Sequence, residues 1–216
     1  SPESVERDLD FLGLVAMADP PRPESVSAIR RCKAAGIKVV MITGDHPVTA
    51  KAIASELGLS EPGRFEGVLT GAEMDALDDQ AFGAKIEDTA VYARVAPEHK
   101  LRIVEAWKAK GQVVAMTGDG VNDAPALKAA SIGVSMGKGG TEVARQASSM
   151  ILADDNFATI VAAVEEGRAI YGNIRRTIQY LLSGNLAEIL IMLGAALMGW
   201  PVPLAPIHLL WINLVT

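Results

Sequence analysis

Residues 111–123 read Gly-Gln-Val-Val-Ala-Met-Thr-Gly-Asp-Gly-Val-Asn-Asp, an apolar run that leads into a turn rich in glycine and carboxylates. The run predicts a buried strand over Val113–Met116, because short apolar segments bounded by turn residues are typical of covered sheets. The segment before it predicts a helix from Pro97 to Lys110, and Gly111 follows where a left-handed backbone is needed. Helix, strand and polar turn form one unit.

This unit occurs twice in the chain. Residues 36–45 read Gly-Ile-Lys-Val-Val-Met-Ile-Thr-Gly-Asp and follow a predicted helix over Glu24–Ala35. Strands that alternate with helices predict an α/β fold, in which a parallel sheet carries helices on both faces. The other predicted elements are helices over Pro47–Gly58 and Thr141–Ala147, strands at Val91–Ala93, Ser131–Val134 and Ser149–Leu152, an apolar run over Phe11–Met17, and a capping box of Thr70 and Glu73.

Polar side chains cluster where the predicted strands end, and ligands of parallel sheets bind beyond that edge. Asp119 and Asp123 can approach Mg²⁺ and an anionic phosphoryl group together. Lys100 lies one turn into its helix and can reach back to the edge as a point charge for phosphate. The hydroxyl or backbone amide at Thr43-Gly44-Asp45 can hold a phosphoryl oxygen. Taken singly, each signal also fits an ordinary turn, a helix cap or a solvated lysine.

Composition narrows the class of protein. A net charge of −6 and a pI near 5.1 argue against a nucleic-acid-binding surface, which needs a basic face. The single cysteine, Cys32, allows no disulfide within the chain and indicates a reducing, cytosolic face. His99 has no evident partner and is expected to be exposed or satisfied. Ser1 opens no signal peptide and Thr216 interrupts an apolar segment, so we expect a piece of a longer protein.

The last third of the chain is apolar. Residues 181–216 contain one acid, Glu188, one histidine and no Lys or Arg. The 21 residues 180–200 are close to the roughly 20 that span a hydrocarbon core of about 30 Å. Arginines precede this stretch at positions 168, 175 and 176, so the positive-inside rule predicts that residues 1–179 are cytoplasmic. Because a second span begins near residue 206, we predict a multi-pass membrane protein.

Glu188 predicts an ion pathway, because an acid in mid-membrane is costly unless it is paired, protonated or lining a polar cavity. Asn185 lies three residues earlier and shares its helix face. Asn213 and Thr216 would add oxygen ligands from the next helix, and such oxygens suit a hard cation such as Ca²⁺. The alternative is a buried core helix of a soluble protein with one satisfied acid.

Six motifs carry a resemblance that covers essentially the whole chain. They are Met-Ile-Thr-Gly-Asp at 41–45, Ala-Arg-Val-Ala-Pro-Glu-His-Lys at 93–100, Thr-Gly-Asp-Gly-Val-Asn-Asp at 117–123, Glu-Gly-Arg-Ala-Ile-Tyr at 166–171, Ser-Gly-Asn-Leu-Ala-Glu at 183–188 and Leu-Trp-Ile-Asn-Leu-Val-Thr at 210–216. In order and spacing they resemble the P-type cation-transporting ATPases of the haloacid-dehalogenase superfamily, most of all the calcium-pump branch. The resemblance implies a haloacid-dehalogenase-like fold followed by a long stalk and transmembrane helix. Its implied divisions are residues 1–155 as the C-terminal part of the phosphorylation domain, 156–179 as the stalk, 180–200 as the fifth transmembrane helix and 206–216 as the start of the sixth.

The resemblance also implies roles for individual residues. Asp119 would hold the catalytic Mg²⁺, with Asp123 as a second candidate ligand that, together with Asn122, organises the site. Lys100 and Thr43 would bind the phosphoryl group. The residues along the substrate ATP would be Thr43, Gly44, Asp45, Arg94, Lys100 and Asn122. The ligands of the transported cation would be Asn185, Glu188, Asn213 and Thr216.

Parts of the family pattern are missing from these 216 residues. The phosphorylated aspartate of the motif Asp-Lys-Thr-Gly-Thr is absent, as are the nucleotide-binding domain and the aspartate expected after Thr216. The resemblance therefore implies an ATP-driven pump whose aspartyl-phosphate forms outside this chain, and the chain alone is expected to be inactive. Its partners would be the cation, the bilayer and the remaining domains, without nucleic acid. A helix from about 157 to 197, roughly 60 Å long, would link the two sites.

Other functions stay open at this point. Related pumps place similar residues around Na⁺, K⁺ or Mn²⁺, so the residues favour Ca²⁺ without fixing it. A soluble phosphatase of the same superfamily would need its own nucleophilic aspartate and no membrane span. A membrane-anchored regulator without enzymatic activity would share the span, but it would have no use for two Thr-Gly-Asp turns and Lys100.

Overall fold

The computed structural model describes Asp10, Gly13, Val15 and residues 20–60 and 67–215. The chain divides into two compact units, Ser1–Ala158 and Thr159–Thr216. Of the predicted elements, the run Phe11–Met17 lies outside the described residues apart from Gly13 and Val15.

The first unit alternates strands and helices, as the sequence predicts. Its helices are α1 (Pro23–Ala34), α2 (Pro47–Glu56), α3 (Gly71–Asp75), α4 (Asp79–Lys85), α5 (Pro97–Ala109), α6 (Ala124–Ala129) and α7 (Glu142–Ala147). Its strands are β1 (Met41–Ile42), β2 (Gly67–Thr70), β3 (Thr89–Ala93), β4 (Ala115–Gly118), β5 (Ile132–Met136) and β6 (Met150–Leu152). Elements β2, α4 and α6, which are short, are not predicted by the sequence patterns.

All strand pairs among the described residues are parallel, which confirms the predicted fold class. They form two three-stranded sheets, in the orders β1-β3-β2 and β4-β5-β6, where a single sheet was expected. In the apolar segment at residues 37–42, which precedes the first Thr-Gly-Asp turn, only Met41–Ile42 forms a strand, because the ladder with β3 starts where Met41 pairs with Val91. The strand predicted over Val113–Met116 begins two residues later, because β5 pairs with β4 from Ala115 onward.

Helix caps follow the sequence closely. Thr70 and Glu73 form the predicted capping box: Thr70 Oγ1 accepts from the Glu73 N–H at 3.3 Å, and Glu73 Oε2 accepts from the Thr70 N–H at 2.8 Å. The bonds that the Glu73 carboxylate accepts from the Thr70 N–H and, also at 2.8 Å, from Thr70 Oγ1 hold the pKa of Glu73 below its ordinary value. Pro97 opens α5, as predicted, because proline lacks the N–H that a first helical turn leaves unpaired.

The core of the first unit consists of three packed clusters. The largest buried side chains, Tyr92 and Phe82, meet edge to face with ring centroids 6.3 Å apart. A separate cluster around Val104, Met116 and Leu127 also receives Ile42 from β1. Since Ile42 and Met116 belong to different sheets, apolar packing brings the two sheets together where no backbone ladder joins β1 to β4 in the described residues.

The second unit contains one long helix and a short one. Helix α8 runs unbroken from Phe157 to Met198, 42 residues, and α9 covers Pro206–Val215. The long helix predicted from about 157 to 197 is thus confirmed. Among the described residues, α8 is the helix that is long and apolar enough to cross a membrane, judged by length and composition.

Two glycines in the first unit differ in the space around them. A Cβ added to Gly133 in β5 would collide with the carbonyl oxygen of Leu127, whereas one added to Gly83 in α4 meets nothing within 4 Å. We expect Gly133→Ala to lower the free energy of unfolding by about 1–3 kcal/mol. The control Gly83→Ala should raise it by about 0.5–1 kcal/mol, since glycine weakens a helix interior. Chemical denaturation in detergent measures both, and equal stability of the two variants would contradict the packing.

Candidate functional site

An ion pair between Lys100 and Asp123 joins the carboxyl ends of the two sheets. Lys100 lies in the first turn of α5, directly after β3, and Asp123 lies in the turn that follows β4. Lys100 Nζ donates to Asp123 Oδ1 at 2.5 Å, and the side chains are 23% and 7% exposed. The lysine that the sequence predicts to reach back to the sheet edge does so, and its direct partner is a carboxylate.

Asp123 also shapes the turn that carries Asp119. Its second oxygen, Oδ2, accepts from the backbone N–H groups of Asp119 at 3.1 Å and Gly120 at 3.0 Å. A Cβ on Gly118 would stand 2.5 Å from the Asp123 Cβ, so glycine is required where the turn closes on this side chain. Both carboxylate oxygens of Asp123 already accept hydrogen bonds from the protein. Asp123 is therefore better placed to organise the turn than to bind a metal ion.

Opposing effects act on the pKa of Asp123. Burial by itself raises it, because a carboxylate is poorly solvated there. Hydrogen bonds from Lys100 and the two backbone N–H groups, together with the lysine charge, outweigh burial and hold the pKa below its ordinary value. The carboxylate is therefore ionised at neutral pH, and Lys100 faces a fixed negative charge.

The first Thr-Gly-Asp turn is attached to the end of β3. The Arg94 N–H donates to the Asp45 carbonyl at 3.1 Å, and the Val95 N–H donates to the Thr43 carbonyl at 3.3 Å. Thr43 Oγ1 donates to Asp45 Oδ2 at 2.9 Å and accepts from the Asp45 N–H at 3.1 Å. A Cβ added to Gly44 would have no neighbouring atom within 4 Å among the described residues. The structure thus brings Thr43, Gly44, Asp45 and Arg94 together.

Arg94 has a left-handed backbone, with φ of 48°. This region is unfavourable for residues with a Cβ, and such strain is typical of functional sites. Its carbonyl oxygen lies against Gly71, where an added Cβ would come within 2.5 Å. The backbone of Arg94 is thus closely packed, while its side chain is exposed to solvent at the edge of the sheet.

Asp119 and Asn122 are exposed at the same edge, so both can reach a ligand in solvent. No group of three or more Asp, Glu, His or Cys side chains suited to a metal occurs among the described residues. Mg²⁺ does not require one, because it is commonly held by one or two carboxylates, substrate phosphates and water. The chemistry of Asp119 therefore fits Mg²⁺, and its role as a ligand stays a prediction.

His99 is buried and partnered, so the expectation of a satisfied histidine is confirmed and that of an exposed one is wrong. Its Nδ1 accepts from the Ala96 N–H at 2.9 Å, which requires the proton on Nε2. Nε2 then donates to Asp75 Oδ1 at 2.8 Å and ties the start of α5 to α3. The sequence signal for this cap is that His99 occupies the third helical position after Ala96. The contact with Asp75 could not be predicted, because the two residues are 24 positions apart.

The predicted cation ligands in the second unit are only partly described. Asn213 Nδ2, on α9, donates to Glu188 Oε2 on α8 at 3.4 Å and to the Leu209 carbonyl at 3.0 Å. The other oxygen, Glu188 Oε1, is buried and has no hydrogen-bond partner within the described part of the chain. Asn185 is exposed, and Thr216 lies outside the described residues. A buried carboxylate oxygen without a donor is a position that a cation can fill.

The sequence profile of the haloacid dehalogenase-like hydrolases matches residues 2–131, and a second profile of the same description matches residues 100–164. The chain therefore belongs to the haloacid dehalogenase-like hydrolases. The parallel sheets, with Lys100, Asp119 and Asp123 at their carboxyl ends, lie within the matched range.

Within this class the chain is similar to P-type ATPases. It is 56% identical to a calcium-transporting ATPase of Bacillus subtilis over 216 residues, 100% of this chain and 24% of that protein. It is 54% identical over 214 residues to calcium-transporting ATPase 1 of Bacillus cereus, 99% of this chain and 24% of that protein. The chain spans about a quarter of the length of the curated relatives it matches.

Solved structures give the same result. A zinc-transporting PIB-type ATPase in the E2P state superposes with a TM-score of 0.59 at 32% identity, covering 80% of this chain and 23% of that one. The catalytic domain of a CPx-ATPase superposes with a TM-score of 0.51 at 27% identity, covering 68% of this chain and 46% of that one. The fold and the sequence thus lead to one class of protein.

The Lys100–Asp123 pair gives a stability prediction. Asp123→Ala leaves the ammonium and two N–H groups without their acceptor, so the free energy of unfolding should fall by about 3 kcal/mol at neutral pH. The control Lys100→Met should cost less, because Asp123 keeps two backbone donors. Chemical denaturation at several pH values measures both changes.

The pH dependence of that loss has a definite sign. Because the pKa of Asp123 is lowered on folding, its stabilisation is present above the unfolded pKa of about 3.9 and is lost as pH falls through the folded value. The difference between the wild type and Asp123→Ala should narrow in acid. A difference that widens below pH 4 would contradict the assignment.

Proposed function

We propose that this chain is part of an ATP-driven cation pump that works through an aspartyl-phosphate intermediate, with Ca²⁺ as the transported ion. One observation carries the proposal. The unit that holds Lys100, Asp119 and Asp123 leads into an unbroken helix of 42 residues, and that helix carries a carboxylate, Glu188, within an apolar stretch. A soluble phosphatase has no use for that stretch.

In this proposal the first unit handles the phosphoryl group. Lys100 offers a positive charge that Asp123 holds in place, and Thr43 offers a hydroxyl at the neighbouring strand end. Fixed charges and dipoles of this kind stabilise the charge that develops during phosphoryl transfer. The aspartate that becomes phosphorylated lies outside these 216 residues, so the chain alone cannot complete the reaction.

Mg²⁺ is the cofactor that this site would take, and ATP is its substrate. Asp119, exposed at the end of β4, would hold Mg²⁺, which would neutralise charge on the transferring phosphoryl group. Asp123 would keep the turn of Asp119 in shape, and Asn122 would complete the polar edge. Gly44, Asp45 and Arg94 would lie along the nucleotide, supported by the open space at Gly44 and the fixed backbone of Arg94.

The second unit would bind the transported ion. Asn213 on α9 donates a hydrogen bond to Glu188 Oε2 on α8. The second oxygen, Glu188 Oε1, has no hydrogen-bond partner among the described residues and could therefore coordinate a cation. Carboxylate and amide oxygens suit hard cations, and the names of the relatives favour Ca²⁺ over Na⁺, K⁺ or Mn²⁺. Asn185 and Thr216 would complete the ligand set. The arginines before residue 180 would place residues 1–179 on the cytoplasmic side of the membrane.

Asp119→Asn tests the phosphate site in the full-length polypeptide. We expect phosphorylation from ATP to fall by at least tenfold, because loss of the charge weakens the Mg²⁺ site. Cation binding should persist, since the substitution leaves Glu188 and Asn213 unchanged. Radiolabelled phosphoenzyme and equilibrium Ca²⁺ binding are the measurements, with the exposed Asp88→Asn as the matched control. Normal phosphorylation in Asp119→Asn would remove Asp119 from this role.

Glu188→Gln tests the ion site and should give the opposite pattern. Loss of the charge weakens cation occupancy, so Ca²⁺-stimulated phosphorylation from ATP should require at least tenfold more Ca²⁺. Phosphorylation from inorganic phosphate without Ca²⁺ should survive, because the substitution leaves the Asp119 site unchanged. Glu166→Gln, an exposed acid on the same helix, is the control. An unchanged Ca²⁺ dependence in Glu188→Gln would refute the assignment.

A further inference from the structure

Asp155 holds a glycine-rich loop that follows β5. Residues 137–140 read Gly-Lys-Gly-Gly. The Asp155 carboxylate accepts three consecutive backbone N–H groups: from Gly137 at 2.7 Å and Lys138 at 3.0 Å on Oδ1, and from Gly139 at 2.7 Å on Oδ2. These bonds hold the pKa of Asp155 below its ordinary value, since they favour the ionised form.

The backbone of Asp155 is itself constrained. Its φ is 53°, in the left-handed region that residues with a Cβ rarely adopt. Arg22 Nη1 donates to the Asp155 carbonyl at 3.1 Å, and the Asp155 N–H donates to the Leu152 carbonyl at 3.3 Å. Hydrogen bonds thus hold Asp155 at both its N–H and its carbonyl, and a strained backbone held in this way is typical of functional sites.

The far end of the same loop contacts Asp119. The Thr141 N–H donates to the Asp119 carbonyl at 2.8 Å, and Thr141 lies two residues beyond the segment that Asp155 binds. Gly140 between them has no room for a side chain, because a Cβ there would collide with the Met136 carbonyl. Gly140 and Thr141 thus connect the segment that Asp155 binds to the backbone of Asp119.

We infer that Asp155 is a positioning residue for Asp119, acting through the loop 137–141. The inference rests on the proposed function, in which Asp119 holds Mg²⁺ at the phosphate site. Groups that orient a metal ligand change metal affinity or activity about 10–100-fold when they are removed. Asp155 also lies two residues before the first residue of α8, so the residue that holds the loop stands at the entry to the long helix.

The first test replaces Asp155 in the full-length polypeptide. Asp155→Gly removes the carboxylate but tolerates the left-handed backbone, so it separates the two features. We expect the Mg²⁺ concentration for half-maximal phosphorylation from ATP to rise about tenfold or more. Asp155→Asn keeps one acceptor oxygen and should fall between Asp155→Gly and the wild type. Asp88→Asn is the exposed control and should match the wild type.

The second test breaks the contact at Thr141. Thr141→Pro removes the N–H that binds Asp119, at a φ of −69° that proline adopts. Thr141→Ala keeps the N–H and loses only the side-chain bond to the Ala144 N–H. Only Thr141→Pro should shift the Mg²⁺ dependence as Asp155→Gly does. Equal shifts in both Thr141 variants would overturn transmission through the N–H.

A readout without catalysis keeps the inference separate from the proposed function. Amide hydrogen exchange across residues 137–141 should be faster in Asp155→Gly than in the wild type, with or without Mg²⁺. If the wild type showed no phosphorylation from ATP, the proposed function would fail, while faster exchange would still support Asp155 as the holder of the loop. Unchanged exchange, or an unchanged Mg²⁺ dependence in a phosphorylating protein, would overturn the inference.

Discussion

The pairing of Lys100 with Asp123 is the constraint on which the arrangement of the first unit depends. Two three-stranded parallel sheets meet without a shared ladder in the described residues, and this pair joins their carboxyl ends at 2.5 Å. Because charge-assisted bonds of partly buried groups are strong and directional, the pair fixes the start of α5 relative to the turn after β4. Asp123 uses its other oxygen to bind the N–H groups of Asp119 and Gly120. One carboxylate thus sets both the charge beside Lys100 and the shape of the Asp119 turn.

Backbone strain is concentrated around the same edge. Among the described residues other than glycine, positive φ occurs at Arg94 and Asp155, and both adjoin the ends of strands. Arg94 fastens the Thr-Gly-Asp turn at 43–45 to β3, while Asp155 fastens the loop 137–139 beside β5. Such conformations persist only where surrounding bonds over-determine them. Hydrogen bonds therefore hold both strained residues in place at this edge.

The second unit follows a different physical rule. Its long helix exposes apolar side chains along most of the stretch from Ile170 to Met198, and the length and composition of this helix suit a membrane span. Within that stretch Glu188 is the one acid, and its cost in a membrane demands a partner. Asn213 supplies one hydrogen bond and leaves Oε1 buried without another among the described residues. This oxygen can therefore still accept a hydrogen bond or coordinate a cation.

Local patterns in the sequence were sufficient for most of the alternating elements, although not for the short β2, α4 and α6. They were also sufficient for the caps at Thr70 and Pro97 and for the continuous helix from Phe157, because each of these features depends on residues a few positions apart. Lys100, Asp119 and Asp123 could also be predicted as site residues from the sequence. Each is a charged residue placed soon after a strand, where the ligands of parallel sheets bind. Tertiary structure alone decided which atoms meet. It divided the strands between two sheets, paired His99 with Asp75 and bound Asp155 to a loop 16–18 residues away. These contacts depend on how distant segments pack, and no periodicity, cap or turn signal in the chain encodes that packing.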